Sequence, residues 1–310
     1  MNPVSKGRLA VTDIFLSLGE CMVELAPQDG GLFAMGFAGD TFNTAWYARR
    51  LLPPEWRVSY LTAVGSDAIS DRMLAFMAAA GIDTGAVARH PDRTVGLYMI
   101  SLNGAERSFS YWRSVSAARS LADDPDRLAG AFTGVRMVYL SGITLAILDD
   151  AGRGRLRAAL SRARQAGTEV AFDPNLRPRL WPDEAQMCAV VSEFAALSDI
   201  VLPSHEDEAR HFGDASAEQT LERYRAGGAG LVVVKDGPGP VLAASTQGRW
   251  RHLPAAVARV VETTAAGDSF NAGFLSARLT GADMGVALAA GAGLAAQVIG
   301  ARGALVEVSP

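Results

Sequence analysis

Residues 260–281 read VVETTAAGDSFNAGFLSARLTG, and this stretch decides how the rest of the chain is read. Val260 and Val261 read as the end of a strand, and Thr263, Thr264, Ala265, Ala266 and Gly267 as a tight loop of small residues. Residues 268–279 then read as a helix, with Phe270, Phe274, Leu275 and Arg278 at helical spacing and Gly281 past its end. The first amides of a helix have no intrahelical partner, and the dipole makes that end positive. A loop of Ala and Gly lets an anion come close to those amides. Asp268, beside them, can accept a proton from a hydroxyl. A base next to an anion hole suits phosphoryl transfer to an alcohol, where positioning and charge stabilisation supply most of the catalysis. On this residue alone, a helix N-cap is a reading of equal standing, since Asp is a favoured cap.

Around this element the chain alternates strands and helices. Strands are expected at residues 14–18, 57–64, 135–140, 169–172, 200–202 and 231–234, with helices at 43–52, 70–80, 150–166 and 284–299. Continuous apolar runs such as LVVV mark strands buried on both faces, and the alternation argues for one doubly wound sheet in an α/β domain spanning residues 1–310. Two regions read differently. Residues 19–25 and 33–37 alternate polar with apolar, as in a sheet with one wet face. Residues 94–113 (TVGLYMISLNGAERSFSYWR) read as a hairpin turning at Asn103-Gly104, with Tyr98, Tyr111 and Arg113 projecting from it. Together the strands within 22–37 and 94–113 would form a small lid over the larger sheet. The run AAGAGLAAQVIG, residues 289–300, contains a formal G-x-G-x-x-A at Gly291, but it sits inside a helical pattern. Its small residues are read as close helix packing instead.

Bulk properties narrow the classes. With 29 basic and 33 acidic residues the net charge is −4, so no global basic field exists for nucleic acid or membrane. No apolar run approaches ~20 residues, so no membrane span is expected. Residues 1–13 read as a loose tail without the apolar core of a signal peptide, making the cytoplasm the expected compartment. Cys21 and Cys188 read as buried thiols rather than a disulfide. There is no P-loop and no paired His or Cys spacing for zinc.

The string TTAAGDSFNAGF, residues 263–274, resembles the signature of the ribokinase-like (PfkB) sugar kinases, whose usual form is G-A-G-D; Ala265 stands in place of the first Gly. The resemblance implies that Asp268 is the catalytic base and that the amides of Ala265, Ala266 and Gly267 form the anion hole. It implies a ribokinase-like fold, ATP and Mg2+ as cofactors, and Ala38, Gly39, Asp40 and Asn43 in AGDTFN as contacts to sugar hydroxyls. Gly96-Leu97-Tyr98, the run ERSFSYWR at 106–113 and Ser116-Ala117-Ala118 resemble the 2-keto-3-deoxygluconate kinases of that family. By that resemblance Tyr98, Tyr111 and Arg113 hold a sugar acid. DPNLRPRLW, residues 173–181, has the D-x-N-x-R-x-x-L-W of the same group, which implies Asn175 near the nucleotide phosphates and Arg177 between phosphate and sugar acid.

Lys235, Asp236, Gly237 and Gly239, in a K-x-G-x-x-G variant ending at Pro240, are implied beside ATP. His205 replaces the Asn of the family's N-x-x-E, while Glu208 is retained as an indirect, water-mediated influence on magnesium. Glu262 stands where many relatives have Asp, which leaves a monovalent cation open. The implied activity is ATP-dependent phosphorylation of 2-keto-3-deoxy-D-gluconate at its 6-hydroxyl. Fructose, 2-keto-3-deoxygalactonate and a nucleoside are the alternative acceptors, and a binding protein without turnover is the alternative class. The two arginines Arg113 and Arg177 favour an acidic sugar on physical grounds as well. An exposed lid edge leads to the expectation of a homo-oligomer.

Overall fold

The computed structural model describes residues 11–103 and 106–308. The chain opens with β1 (Thr12–Leu18), β2 (Met22–Pro27), β3 (Phe33–Ala38) and α1 (Asp40–Leu51). Next come β4 (Arg57–Leu61), β5 (Ala63–Gly65), α2 (Ala68–Ala79), β6 (Ala88–His90), and the strand pair β7 (Gly96–Asn103) and β8 (Glu106–Trp112). The middle of the chain holds α3 (Pro125–Phe132), β9 (Val135–Ser141), α4 (Gly142–Ile147), α5 (Asp150–Ala166), β10 (Glu169–Asp173) and α6 (Glu184–Ala196). It closes with β11 (Ile200–Val201), α7 (His205–Phe212), α8 (Ala217–Ala226), β12 (Leu231–Val234), β13 (Val241–Ser245), β14 (Gly248–His252), α9 (Ala266–Leu279) and α10 (Met284–Ile299).

Eight strands form one sheet in the order β14-β13-β12-β11-β10-β9-β1-β4. Pairing is parallel from β4 to β12 and antiparallel only at the β12–β13–β14 edge. Successive side chains of a strand point to opposite faces, and here each face meets its own core. Leu16, Leu18, Val138, Leu140, Val170 and Phe172 pack on one side with Leu156, Leu160 and Val191. Phe15, Met137, Tyr139 and Ala171 pack on the other with Phe42, Phe270, Phe274 and Leu288. This is the doubly wound, mostly parallel architecture the sequence predicts.

A second sheet, β3-β2-β7-β8, is the expected lid. β2 is parallel to β7 and antiparallel to β3, and β7 is antiparallel to β8 with Tyr98 opposite Tyr111. Asn103 ends β7, while the Gly104 of the expected turn lies outside the described residues.

α5 and α10 have the bounds the sequence predicts. The small residues of α10 serve the predicted purpose: a methyl group on Gly291 would sit 2.9 Å from the Phe270 carbonyl oxygen, and one on Gly273 2.8 Å from that of Ala290. Elsewhere the structure corrects the sequence. β1 begins at Thr12, anchored by Thr12 N to Gly134 O, so the expected tail is two residues too long. The segment 57–64 is not one strand. It breaks at Thr62, and β5 leaves the main sheet to pair with β6. Val260 and Val261 are exposed and belong to no strand; Val261 N donates to Ile299 O at the end of α10 instead. β13 and β14, which the sequence reading does not identify, occupy the edge of the sheet. Cys21 is buried as expected, while Cys188 is half-buried, and both are free thiols.

Candidate active site

Two helices point their N-termini at one place. α1 starts immediately after β3, with Gly39 at its cap. Gly39 has ordinary extended backbone, so its conformation does not call for glycine. Its neighbours do: a Cβ there would lie 2.1 Å from the Glu20 carbonyl oxygen. α9 starts at Ala266, two residues earlier than the sequence predicts, behind Ala265 in the left-handed region (φ 59, ψ 14). That conformation disfavours every residue with a Cβ and suits glycine, which gives a physical reason for the Gly that usually stands here in the resembling kinases. Asp268 therefore lies inside the first turn and is not the cap; the cap alternative falls. The Ala266 amide donates to Thr263 O at 3.2 Å, and the amides after it are the unpartnered ones of the helix end.

The Asp268 carboxylate accepts from Asn43 Nδ2 at 2.8 Å, and its backbone oxygen accepts from Thr44 Oγ1 at 3.2 Å. Residues 225 apart in sequence are thus joined across the two helix ends. Burial, then the nearby Asp40 and Asp173 carboxylates, push Asp268 up to about 7, although the Asn43 amide and Lys235 pull it down. A carboxyl near neutrality is a base whose strength matches proton removal from an alcohol during phosphoryl transfer.

Beside it lies a second polar group of residues. Asp173, at the carboxyl end of β10, accepts from Lys235 Nζ at 2.9 Å and from Asn271 Nδ2 at 2.6 Å. Its other oxygen accepts from the Asn175 amide at 3.0 Å, an Asx-type turn that helps Asn175 hold φ 35. Asn175 Nδ2 in turn donates to Asp40 at 2.7 Å. The loop after β10, the loop after β12 and both helix ends therefore meet at the carboxyl edge of the sheet, the usual ligand site of such folds.

Ala38, buried, ends the lid strand that leads into Gly39 and Asp40. Tyr98 is buried, its ring 5.9 Å from that of Tyr111, which is 52% exposed. The Tyr98 hydroxyl donates to Glu24, and burial followed by that carboxylate drives its acidity far down. Arg113 differs from the expectation of a cation waiting for a sugar acid: it is ion-paired with Glu20, and both side chains are buried. Arg177 is half-exposed and donates to Asp207 at 3.3 Å and to its own neighbour's carbonyl, Leu176 O, at 2.7 Å. Each expected carboxylate ligand thus already faces a carboxylate of the protein.

On the other side, Lys235 O accepts from the His205 amide at 2.8 Å, and Gly239 N closes a turn onto Asp236 O at 2.7 Å. Gly237 sits in that turn with φ +52. Glu208 is placed differently from the sequence expectation. Its carboxylate is held by Arg223 at 2.6 Å and by the Tyr224 hydroxyl at 3.0 Å, and it is fully buried. Burial pushes it up to about 7 against the pull of Arg223. His205 turns to Thr220 Oγ1 at 3.1 Å. Glu262 is buried and accepts from Gly303 N at 2.9 Å.

Asp173, Asn271 and Glu20 are site residues that the sequence reading missed. Asn271 was within reach of it, since it lies three residues after Asp268 and so on the same helix face. Asp173 was also within reach, as the first residue of the D-x-N-x-R-x-x-L-W run, whereas Glu20 gave no local signal. Among the described residues no three His, Cys, Asp or Glu side chains cluster as a metal cage. The donor set fits a magnesium ion held mainly by phosphate and water oxygens, the usual habit of that ion.

A family model described as "pfkB family carbohydrate kinase" matches residues 15–309. The 2-dehydro-3-deoxygluconokinase of Dickeya dadantii is 38% identical over 298 residues, 94% of this chain and 96% of that protein. Among solved structures, a PfkB protein from Polaromonas sp. JS666 superposes with a TM-score of 0.82 at 28% identity, covering 93% of this chain and 95% of its own. An Escherichia coli ribokinase II in complex with ATP and Mg2+ superposes equally well, TM-score 0.82, at 21% identity over 95% of both chains. At that identity the likeness is one of fold.

Proposed function

Since the chain belongs to the pfkB family of carbohydrate kinases, we propose that it transfers the γ-phosphoryl group of ATP to the 6-hydroxyl of 2-keto-3-deoxy-D-gluconate, giving 2-keto-3-deoxy-6-phosphogluconate and ADP. The observation that carries this reading is Asp268: a carboxyl near neutrality, oriented by Asn43, in the first turn of a helix. Asp268 takes the proton of the hydroxyl as its oxygen bonds to the γ-phosphorus, and the bond from that phosphorus to the ADP oxygen breaks. The positive end of α9, through the amides of its first turn and the Ala265–Gly267 backbone, holds the charge that develops. Magnesium, when bound, would neutralise phosphate charge, held mainly through phosphate and water oxygens.

In the same reading Ala38, Gly39, Asp40 and Asn43 line the sugar, Tyr98 and Tyr111 flank it, and Arg113 and Arg177 face its carboxylate. Asn175, Lys235, Asp236, Gly237 and Gly239 line the nucleotide. A monovalent cation near Glu262 and pairing of two chains through the exposed lid residues Phe109 and Trp112 belong to it as well. Exchange of potassium for choline and light scattering test those two points. The relative named above, covering 94% of this chain, supports the sugar acid.

A second acceptor class, a neutral ketose such as fructose, has one observation in its favour: Arg113 and Arg177 already face Glu20 and Asp207. Steady-state kinetics with ATP across a panel of sugar acids and neutral hexoses decides between them. A higher kcat/KM for a neutral hexose than for every acid would overturn the sugar-acid reading.

A further inference from the structure

The chain uses arginine for nearly every cation. Of its 29 basic residues only Lys6 and Lys235 are lysines. Lys235 follows β12, the buried LVVV strand in the middle of the sheet, and its side chain is 12% exposed. An ammonium is a compact point charge that cannot form the flat, two-pronged pairs arginine favours. Its use at this single described position points to a task that needs the smaller cation.

The surroundings of its nitrogen define that task. Nζ donates to Asp173 at 2.9 Å and to Asn271 Oδ1 at 3.1 Å. Asn271 is fully buried, and its amide orientation is fixed: Nδ2 donates to Asp173 at 2.6 Å and to the Tyr139 hydroxyl at 2.9 Å, leaving Oδ1 for the lysine. Those two bonds use two of the three ammonium hydrogens. The nitrogen itself lies at the helix end, 3.6 Å from where a Cβ on Gly267 would be. Asp40 and Asp173 both act electrostatically on Asp268, and three carboxylates left unopposed at this edge would repel a nucleotide. A buried Lys–Asp pair kept only for stability gains little over apolar replacements. A buried pair whose nitrogen sits beside a helix N-terminus is an arrangement suited to meet an anion.

We infer that the Lys235 ammonium, beyond the backbone of its loop, is a catalytic cation that meets the transferring phosphoryl group at the first turn of α9, and that Asn271 and Asp173 are the positioning residues that hold it there. This rests on the kinase reading above. Lys235→Met keeps the length and apolar stem while removing the charge. It should lower kcat by about 10²–10³, the usual loss on deleting one transition-state donor. KM for the acceptor should stay at its wild-type value, and the affinity for ADP, which lacks the γ-phosphoryl group, should change far less than kcat. The acid limb of the kcat–pH profile should move to higher pH, since Lys235 pulls Asp268 down. Asn271→Ala should change kcat in the same direction by about tenfold, as expected for a group acting through another. Lys235→Arg should recover only part of the rate.

The rates are measured with whichever alcohol the wild-type enzyme phosphorylates best, so failure of the sugar-acid assignment leaves this test intact. ADP affinity is read by calorimetry and needs no turnover. The inference is overturned if Lys235→Met keeps its kcat within a factor of three, or if its kcat, ADP affinity and melting temperature all fall together.

Discussion

Replacing the base should make this protein more stable and inactive at once. Asp268 is held near 7, against 3.8 for a free side chain, by burial and by the Asp40 and Asp173 carboxylates. The folded chain thus disfavours the ionised form. Below pH 4 the carboxyl is protonated in both folded and unfolded chains, and no penalty exists. The penalty grows as pH climbs from 4 to 7 and is complete above 7, where it reaches about 4 kcal/mol at roughly 1.36 kcal/mol per pH unit. Asp268→Asn removes the charge and still accepts the Asn43 hydrogen bond through its amide oxygen. At about 2 °C per kcal/mol for a chain of this size, the variant should melt about 8 °C above wild type at pH 8 and about a third of that at pH 5. Its kcat should fall by about 10²–10⁴, the range for loss of a general base. Paired thermal melts at pH 5, 6.5 and 8 read the effect. A melting difference that stays constant with pH, or that is absent at pH 8, would refute the claim that the fold stores strain in this carboxylate.

Other substitutions test the remaining geometry. Ala265→Gly relieves a left-handed residue and should stabilise the chain by about 1 kcal/mol in urea unfolding, with kcat retained; a loss of stability would mean that Ala265 is not strained. Glu208→Gln should leave the midpoint of magnesium activation within about twofold of wild type, because Arg223 and the Tyr224 hydroxyl already hold the carboxylate. A large rise in that midpoint would return Glu208 to the metal site. Arg177→Ala should raise KM for the sugar acid about tenfold or more, the worth of one charge-assisted contact, and leave a neutral hexose unaffected. Equal losses on both substrates would remove Arg177 from the carboxylate.

The sequence by itself determined the layers of this protein. Strand cores such as LVVV, the 3.6-residue rhythm of α5 and α10, and the apolar run of β9 are local patterns. Each is written within fewer than twenty consecutive residues, and burial of the same faces fixes the tertiary arrangement. The small loop before Asp268 was legible for the same reason. Only the tertiary structure decided the electrostatics. The pairs Glu20–Arg113, Asp173–Lys235 and Asp268–Asn43 join residues 62 to 225 apart, and no periodicity announces a partner that distant. Val260 and Val261 show the converse failure: β-branched residues signal a strand, but a strand needs a neighbouring strand to pair with, and the Val261 amide bonds to Ile299 O at the end of α10 instead. Apolar pattern carries the fold because water drives it residue by residue, whereas a charge takes its meaning only from the neighbours that folding supplies.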